Sequence, residues 1–553
     1  MRAHSSLRIQ LTIAIVALLL FVPGLGAVHL FDWDEINFAE IAREMLATND
    51  WLQPRIDYVP FYEKPPLFIW MQAASMSVFG VGEFAARLPN AICGIVTLLV
   101  LFRIGERLRG RTFGALWALA YVGSILPNLY FRSGIIDPWF NLFIFLGLNS
   151  LIRAAQEDHP PATGHGTRHA LLSGLFFGLA VLTKGPVGIL VPGLVAAVMW
   201  MRSGFRSLIR VRSLLMIAAA LLITVSTWFV VDLIRNGPGF MVAFFWRQVA
   251  MLTTEDAGHG GFFGYHFVVL LIGCFPASLF AAQELWKPMR TTEPLHPVQR
   301  GEHRRWMVIL FWVVLVLFSV VKTKIVHYSS LCYFPLTYLA ALRLTRVWKE
   351  NTGFGRVRYL IGPVGMVFVI AAIALPIVGT HIDMIKPLFA KDPFALANLE
   401  ANVHWSGWEA SAGILLLAVF GIGHFLYERA RFRISLVTVF AGTALFVTLA
   451  LYFFINRIEA YSQGAAITFF EERQGEKCYV ITKDYKSYAH LFYARTPPVT
   501  DERAHDEEWL LHGDIDRPVY VVCKVTGTAE VAKIPGLTEL YRRNGFVFFR
   551  REP

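Results

Sequence analysis

Apolar runs about 20 residues long alternate with short polar segments over most of the chain. A helix of that length crosses roughly 30 Å of hydrocarbon. Such runs fall near 11–30, 89–102, 113–130, 136–152, 170–183, 186–201, 213–234, 264–283, 306–321, 327–342, 359–378, 410–426 and 435–455. They predict thirteen membrane spans; two of the shortest, 170–183 and 186–201, are split only by Lys184-Gly185-Pro186. The first run also has the form of a cleaved leader, with Gly24-Leu25-Gly26 behind it, and cleavage would leave the sidedness of the rest unchanged. After 455 the period changes. Short β-rich runs (478–482, 519–523, 546–549) are separated by polar stretches with helical potential around 484–492 and 501–511. The pattern therefore divides the chain into a membrane domain, 1–455, and a small soluble α/β domain, 456–553.

Composition agrees. Of 553 residues, 55% are hydrophobic and only 16% charged, against about 25% charged in soluble domains, and the mean hydropathy is +0.50. The same balance excludes intrinsic disorder. Five cysteines in so long a chain exclude a disulfide scaffold; Cys478 and Cys523 are read as buried free thiols, with a disulfide in an oxidising compartment as the alternative. The net charge of +11 would suggest nucleic acid in a soluble chain. In a membrane protein it marks the loops that stay inside, and no nucleic-acid partner is expected. With the N-terminus cytoplasmic, Arg103/Arg107/Arg109/Arg111, Arg202/Arg206/Arg210/Arg212 and Arg429/Arg431/Arg433 all fall inside. Loop 31–88, with nine acids and four bases, then falls outside, as does the C-terminal domain.

The polar residues that packing does not explain gather on that outer side. Asp32, Asp34 and Glu35 follow the first span; interfacial solvation is the plain alternative. Residues 36–46 have helical spacing with an apolar face, suiting a helix in the membrane interface. Tyr62-Glu63-Lys64-Pro65-Pro66 sets a charged pair against an apolar run, which is costly unless it binds something. Arg132 and Asp137 lie at the next outer turn, where helix capping by Asp137 ahead of Pro138 is the competing account. Lys184, Lys322 and Lys324 lie at further outer turns, where they either snorkel or meet an anion. Cations at an interface suit a lipid phosphate. Carboxylates (Asp34, Glu63, Asp137) suit a general base, a developing positive charge at an anomeric carbon, or a metal. His259, alone in a Gly-rich run, has no nearby His or Cys cluster to make it a metal ligand.

At these residues the sequence resembles the GT-C membrane glycosyltransferases, and among them the 4-amino-4-deoxy-L-arabinose lipid A transferases and their protein mannosyltransferase relatives. The resemblance is carried by Asp34-Glu35, residues 39–46, Tyr62-Glu63-Lys64-Pro65-Pro66, Ile136-Asp137-Pro138, Leu182-Thr183-Lys184-Gly185-Pro186, Asp256-Ala257-Gly258-His259, and Lys324 to Tyr328 with Pro335. It implies a polytopic GT-C fold in a bacterial inner membrane, and transfer of a sugar from a polyprenyl (undecaprenyl) phosphate to a lipid or glycan acceptor on the periplasmic face. By the family pattern Asp34 and Asp137 stand at the reaction centre and Lys64 holds the carrier phosphate. Tyr62, Lys184 and Tyr328 line the donor pocket, while Glu63 and His259 are candidate ligands for a divalent metal such as zinc. The chain is expected to act as a monomer among membrane lipids. Three departures bear on the acceptor and the sugar: Trp246–Leu252 lacks the expected His and Arg-Phe pair, residues 260–264 lack the usual Pro and paired aromatics, and the proline flanking Tyr328 is missing. The alternative class is a lipid-linked-sugar transporter or flippase, which would place ionisable residues at mid-membrane in related halves. Nothing in 456–553 looks catalytic, and a receptor role for that domain is the remaining alternative.

Overall fold

The computed structural model describes residues 2–158, 165–253, 260–286, 299–498 and 501–553. Each of the thirteen apolar runs coincides with a helix or a broken pair of helices. Among the described residues, by length and composition alone, six helices qualify as spans: Glu83–Arg109, Val211–Asn236, His303–Val320, Gly355–Thr380, Trp408–Glu428 and Phe432–Ser462, or seven counting one bent pair. Others fall short for visible reasons. Val187–Arg202 has only 16 residues, and the run 264–283 is interrupted between Tyr265–Gly273 and Ala277–Leu285.

Two of the expected spans are broken where they approach each other. The run 113–130 is helical over Arg111–Val122, then turns 85° into Ile125–Arg132. At the second break the Phe275 carbonyl accepts from Ile125 N at 3.2 Å. Unwound backbone at membrane depth persists only where other protein groups satisfy it, and here one hydrogen bond joins the two breaks.

The loop 31–88 is built rather than loose. Its helix Asp34–Thr48 is present as the spacing requires, but it does not lie on a lipid surface. Residues Glu35–Ile36 and Phe38–Met45 are all buried. One side packs on Leu67–Phe79 and the other under the C-terminal region, in a cluster joining Ile36, Phe38 and Ile41 to Phe470, Phe492 and Tyr493. The polar residues that gave the helix its amphipathic look make this second contact. Arg43 pairs with Glu40 at 2.6 Å and donates to the Thr496 carbonyl at 2.9 Å. Beneath it, burial and then the Glu40 charge push Glu44 up to about 9. A two-residue hairpin, β1 (Arg55–Ile56) and β2 (Val59–Pro60), turns through Asp57 and Tyr58, both at positive φ, and Tyr58 Oη also donates to Thr496.

The C-terminal region carries four strands in the order β3-β4-β6-β5: Tyr479–Lys483, Val519–Lys524, Phe546–Arg551 and Leu537–Arg543. The β3–β4 pair is parallel, the other pairings antiparallel. The alternation of 478–482, 519–523 and 546–549 thus reads out as three of the strands; the fourth, β5, is an exposed edge without a strong apolar signal. All five cysteines are free thiols. Residues 484–488, expected to be helical, are not, because the Ser487 hydroxyl donates to Asp32 and accepts from Ala489 N, so the helix begins only at Ala489.

The segment 25–35 is tied to the bundle by one residue. Arg87, buried on the helix Glu83–Arg109, makes a two-point contact with Glu35 (Nε–Oε1 3.0 Å, Nη2–Oε2 2.8 Å) and donates to the carbonyls of Leu25, Val28 and His29. Glu35 also accepts from Phe31 N and Gly134 N. Removing one member of such a pair strands a buried charge at a cost of roughly 3–5 kcal/mol. Arg87→Ala is therefore expected to lower the unfolding temperature in detergent by more than about 5 °C, and Arg87→Met combined with Glu35→Met to recover part of that loss. An Arg87→Ala protein that melts with the wild type would show that the brace is dispensable.

Candidate active site

The end of the bundle that carries this brace holds a cavity of about 870 Å³. Its wall comes from residues 31–38 and 61–64, the bent segment Leu126–Ile136, Lys184, Arg247, residues 325–328 with Tyr333, and Lys486 with Tyr488 of the C-terminal region. The bend after Val122 is what turns Leu126, Leu129 and Tyr130 toward it.

On one wall two carboxylates meet one imidazole. His327 Nε2 lies 3.3 Å from Asp34 Oδ2 and 3.6 Å from Asp137 Oδ2. Asp137 is the first residue of the helix Asp137–Glu157, whose N-cap is Ile136, and no side chain caps it. Capping is thus not its role; its other oxygen takes Lys184 Nζ at 2.7 Å. Lys184 reaches it because its own helix ends there. Gly185, at φ +85°, accepts no side chain, since a Cβ would sit 2.3 Å from the Phe244 ring. Lys184 also stands over the rings of Tyr328 at 5.1 Å and Phe140 at 5.7 Å.

Asp34 lines the cavity with its side chain 38% exposed. Burial pushes its carboxyl up, but the contact with His327 and the charges of His327, Lys184 and Lys64 outweigh it and hold the group at about 2. Lys64 is moved the other way. Burial, then the nearby Lys184 and Arg247 charges, lower it against the opposing pull of Glu63 and Asp34. Among the described residues its ammonium makes no hydrogen bond and no ion pair. A desolvated cation without a partner is costly, and this one lines a cavity.

The sequence from residue 63 to 230 matches the model of the dolichyl-phosphate-mannose-protein mannosyltransferase family. The undecaprenyl phosphate-alpha-4-amino-4-deoxy-L-arabinose arabinosyl transferase of Edwardsiella ictaluri is 28% identical over 389 residues, 67% of this chain and 67% of its own. The transferase of the same name from Erwinia tasmaniensis is 28% identical over 67% of this chain and 65% of its own. These alignments thus span about two thirds of the relatives' length. The fold matches over nearly the whole chain: the crystal structure of ArnT from Cupriavidus metallidurans bound to undecaprenyl phosphate superposes with a TM-score of 0.78 at 21% identity, covering 98% of this chain and 97% of that one. The chain has the GT-C membrane fold.

In this GT-C fold the structure brings together Asp34, Asp137, Lys184, Lys64, Glu63 and Tyr328 from the residues expected at the site. It removes others. Arg132 points away from the cavity, donating to the Leu20 carbonyl and to Thr448 Oγ1 at 3.0 Å, so it joins the first helix to Phe432–Ser462. Lys324 turns back on the helix Gln299–Val320 and its adjoining turn, donating to the carbonyls of Phe318, Ser319 and Val321. It satisfies carbonyls that a helix end leaves without partners. Lys322 is exposed and outside the cavity lining. Tyr62 packs behind the wall, edge-on to Phe240 at 6.0 Å, in a cluster with Leu182 and Trp228.

Glu63 pairs not with its neighbour Lys64 but with Arg247, at 3.4 Å. His259, its expected partner in holding a metal, lies outside the described residues. Among the described residues no group of three or more His, Cys, Asp or Glu side chains is arranged to hold a metal ion, so Glu63 alone does not make a metal site.

Sequence reading missed His327, although it lies inside the Lys324–Tyr328 motif, because a lone histidine at a turn carries no spacing signal. It missed Lys486 and Tyr488 because only the fold brings residue 486 beside residue 33. The contrast between two lysines is testable by stability. Lys324→Met is expected to lower the unfolding temperature, by the equivalent of about 1–3 kcal/mol for the carbonyls left unpaired. Lys64→Met is expected to melt at or above the wild type, since it removes a half-buried charge that has no hydrogen bond or ion pair among the described residues. A destabilised Lys64→Met protein would mean that this lysine has a structural partner after all.

Proposed function

We propose that the enzyme moves 4-amino-4-deoxy-L-arabinose, or a closely similar sugar, from undecaprenyl phosphate to a phosphate of lipid A, on the periplasmic face of the inner membrane. The observation that carries this reading is the Lys64 ammonium, with no hydrogen bond or ion pair among the described residues, in the same cavity as Asp34 and His327, with Asp137 buried behind His327. A cation awaiting an anion lies beside carboxylates suited to a developing positive charge. The N-terminus is then cytoplasmic and the C-terminal region periplasmic, in keeping with the arginine-rich loops at the opposite end.

In the reaction, an oxygen of the acceptor attacks the anomeric carbon as the bond from that carbon to the carrier phosphate oxygen breaks. The electron pair leaves with undecaprenyl phosphate. Lys64, with Arg247 beside it, stabilises the charge that grows on the departing phosphate, and Asp34 and Asp137 stabilise the oxocarbenium-like sugar. Catalysis by a general base works best when its pKa lies near the operating pH. A carboxylate held at about 2 is a weak base toward a hydroxyl but a permanent negative charge. That favours an acceptor already ionised, a phosphate, over the serine or threonine hydroxyl of a protein.

The test is transfer in nanodiscs from radiolabelled undecaprenyl-phosphate-linked aminoarabinose to lipid A, with a Ser/Thr-rich peptide as the competing acceptor. Labelled lipid A is expected and labelled peptide is not; label on the peptide, or a donor moved across the bilayer without new glycoconjugate, would replace this reading. Lys64→Ala and Asp34→Asn are each expected to lower kcat/KM by about 100-fold or more. Because Asp34 stays ionised well below neutrality, Asp34→Asn should show that loss at every pH from about 5 to 8. Recovery of the variant at the acid end would mean that Asp34 acts in its protonated form.

A further inference from the structure

We propose that the C-terminal region completes the acceptor site, with Lys486 binding a phosphate of the acceptor lipid; this rests on the transfer reading above. The loop between β3 and the helix Ala489–Tyr493 reaches the cavity, and Lys486 and Tyr488 form part of its wall. The loop is anchored there. Ser487 donates to Asp32, and Lys486 Nζ stands 5.1 Å from the Trp33 ring centre and 5.7 Å from that of Tyr488. Aromatic faces hold the ammonium, yet among the described residues it has no hydrogen bond and no ion pair.

Among its neighbours, Lys483, Arg517, Lys533 and Arg542 are each matched to a carboxylate, Glu507, Asp516, Glu530 and Glu539 respectively. Lys524 is held only by the rings of Phe394 and Tyr485, but it lies outside the cavity lining. Lys486 instead presents an unneutralised charge to a partly apolar cavity.

The cavity cations therefore divide. Lys64 and Arg247 line the cavity where the carrier phosphate is proposed to sit. Lys486 comes from another part of the chain and stands over Trp33, the residue before Asp34. One phosphate needs one cluster of cations, so a second unpartnered cation fits a second anion. In a transfer between two lipids that anion is the acceptor's phosphate, placed by this lysine near the carboxylates where the sugar is released.

Steady-state transfer with the acceptor varied tests the assignment. Lys486→Gln is expected to raise the acceptor KM about tenfold while leaving the donor KM within twofold, and Lys486→Arg to restore most of the loss. Binding of lipid A and of enzymatically dephosphorylated lipid A to the full-length protein in detergent, followed by microscale thermophoresis, reads the contact without turnover. The wild type should prefer the phosphorylated lipid, and Lys486→Gln should lose that preference. An unchanged acceptor KM, or a preference that survives the substitution, overturns the proposal. Failure of the wild type to transfer at all would instead overturn the transfer reading, and the binding comparison would still decide the role of Lys486.

Discussion

Everything at the cavity depends on where Asp34 is held, and Asp34 is held by its neighbour. Glu35 carries no chemistry of its own. It is locked to Arg87 by two hydrogen bonds and accepts two backbone N–H groups, one from the chain entering the helix and one from Gly134 in the bent segment opposite. The same guanidinium closes the carbonyls of residues 25, 28 and 29. A single ion pair thereby fixes the exit of the first helix, the start of Asp34–Thr48 and the approach to Asp137. Of adjacent acids, one is used up as structure so that the other can face the cavity.

That division of labour runs through the molecule and separates the charges that matter for chemistry from those that do not. Arg132 and Lys324 stood beside Lys64 and Lys184 as candidates, since all are cations at one end of the bundle. The structure sorts them by what already neutralises them. Lys324 is occupied by carbonyls and Arg132 by a carbonyl and a hydroxyl. Lys184 is neutralised by Asp137 yet remains in the cavity wall, so it orients a carboxylate. Among the described residues Lys64 and Lys486 have no hydrogen-bond or ion-pair partner, and these two are left to meet substrate.

Helical periodicity made the membrane domain legible, because a bilayer allows few alternatives to a helix and apolar length is easily read. The carboxylates were legible because charge is scarce in such a chain. Three features were not. The bend after Val122 is written in Gly123-Ser124, an ordinary helical pair until Phe275 of another broken span supplies a partner. The helix 36–46 has the pattern of a surface helix, and nothing local distinguishes a lipid surface from the underside of a second domain. Lys486 lies in a stretch whose helical potential is overridden by one hydroxyl that prefers Asp32. In each case the deciding partner is distant in sequence, Asp32 and Ser487 lying 455 positions apart.

The same distance explains why the C-terminal region belongs with the chemistry rather than beside it. The buried Arg43–Glu40 pair, the Tyr58 hydroxyl and the raised Glu44 all lie under that region and away from the cavity. Polar groups in such a contact are costly to desolvate unless each finds its partner, and Thr496 meets two of them through a single carbonyl. A contact that specific fixes orientation as well as attachment. Held in that orientation, the loop 484–488 has one course, across Asp32 and Trp33 and into the cavity. The seating of the C-terminal region on the helix that begins with Asp34 is therefore what brings Lys486 to the site.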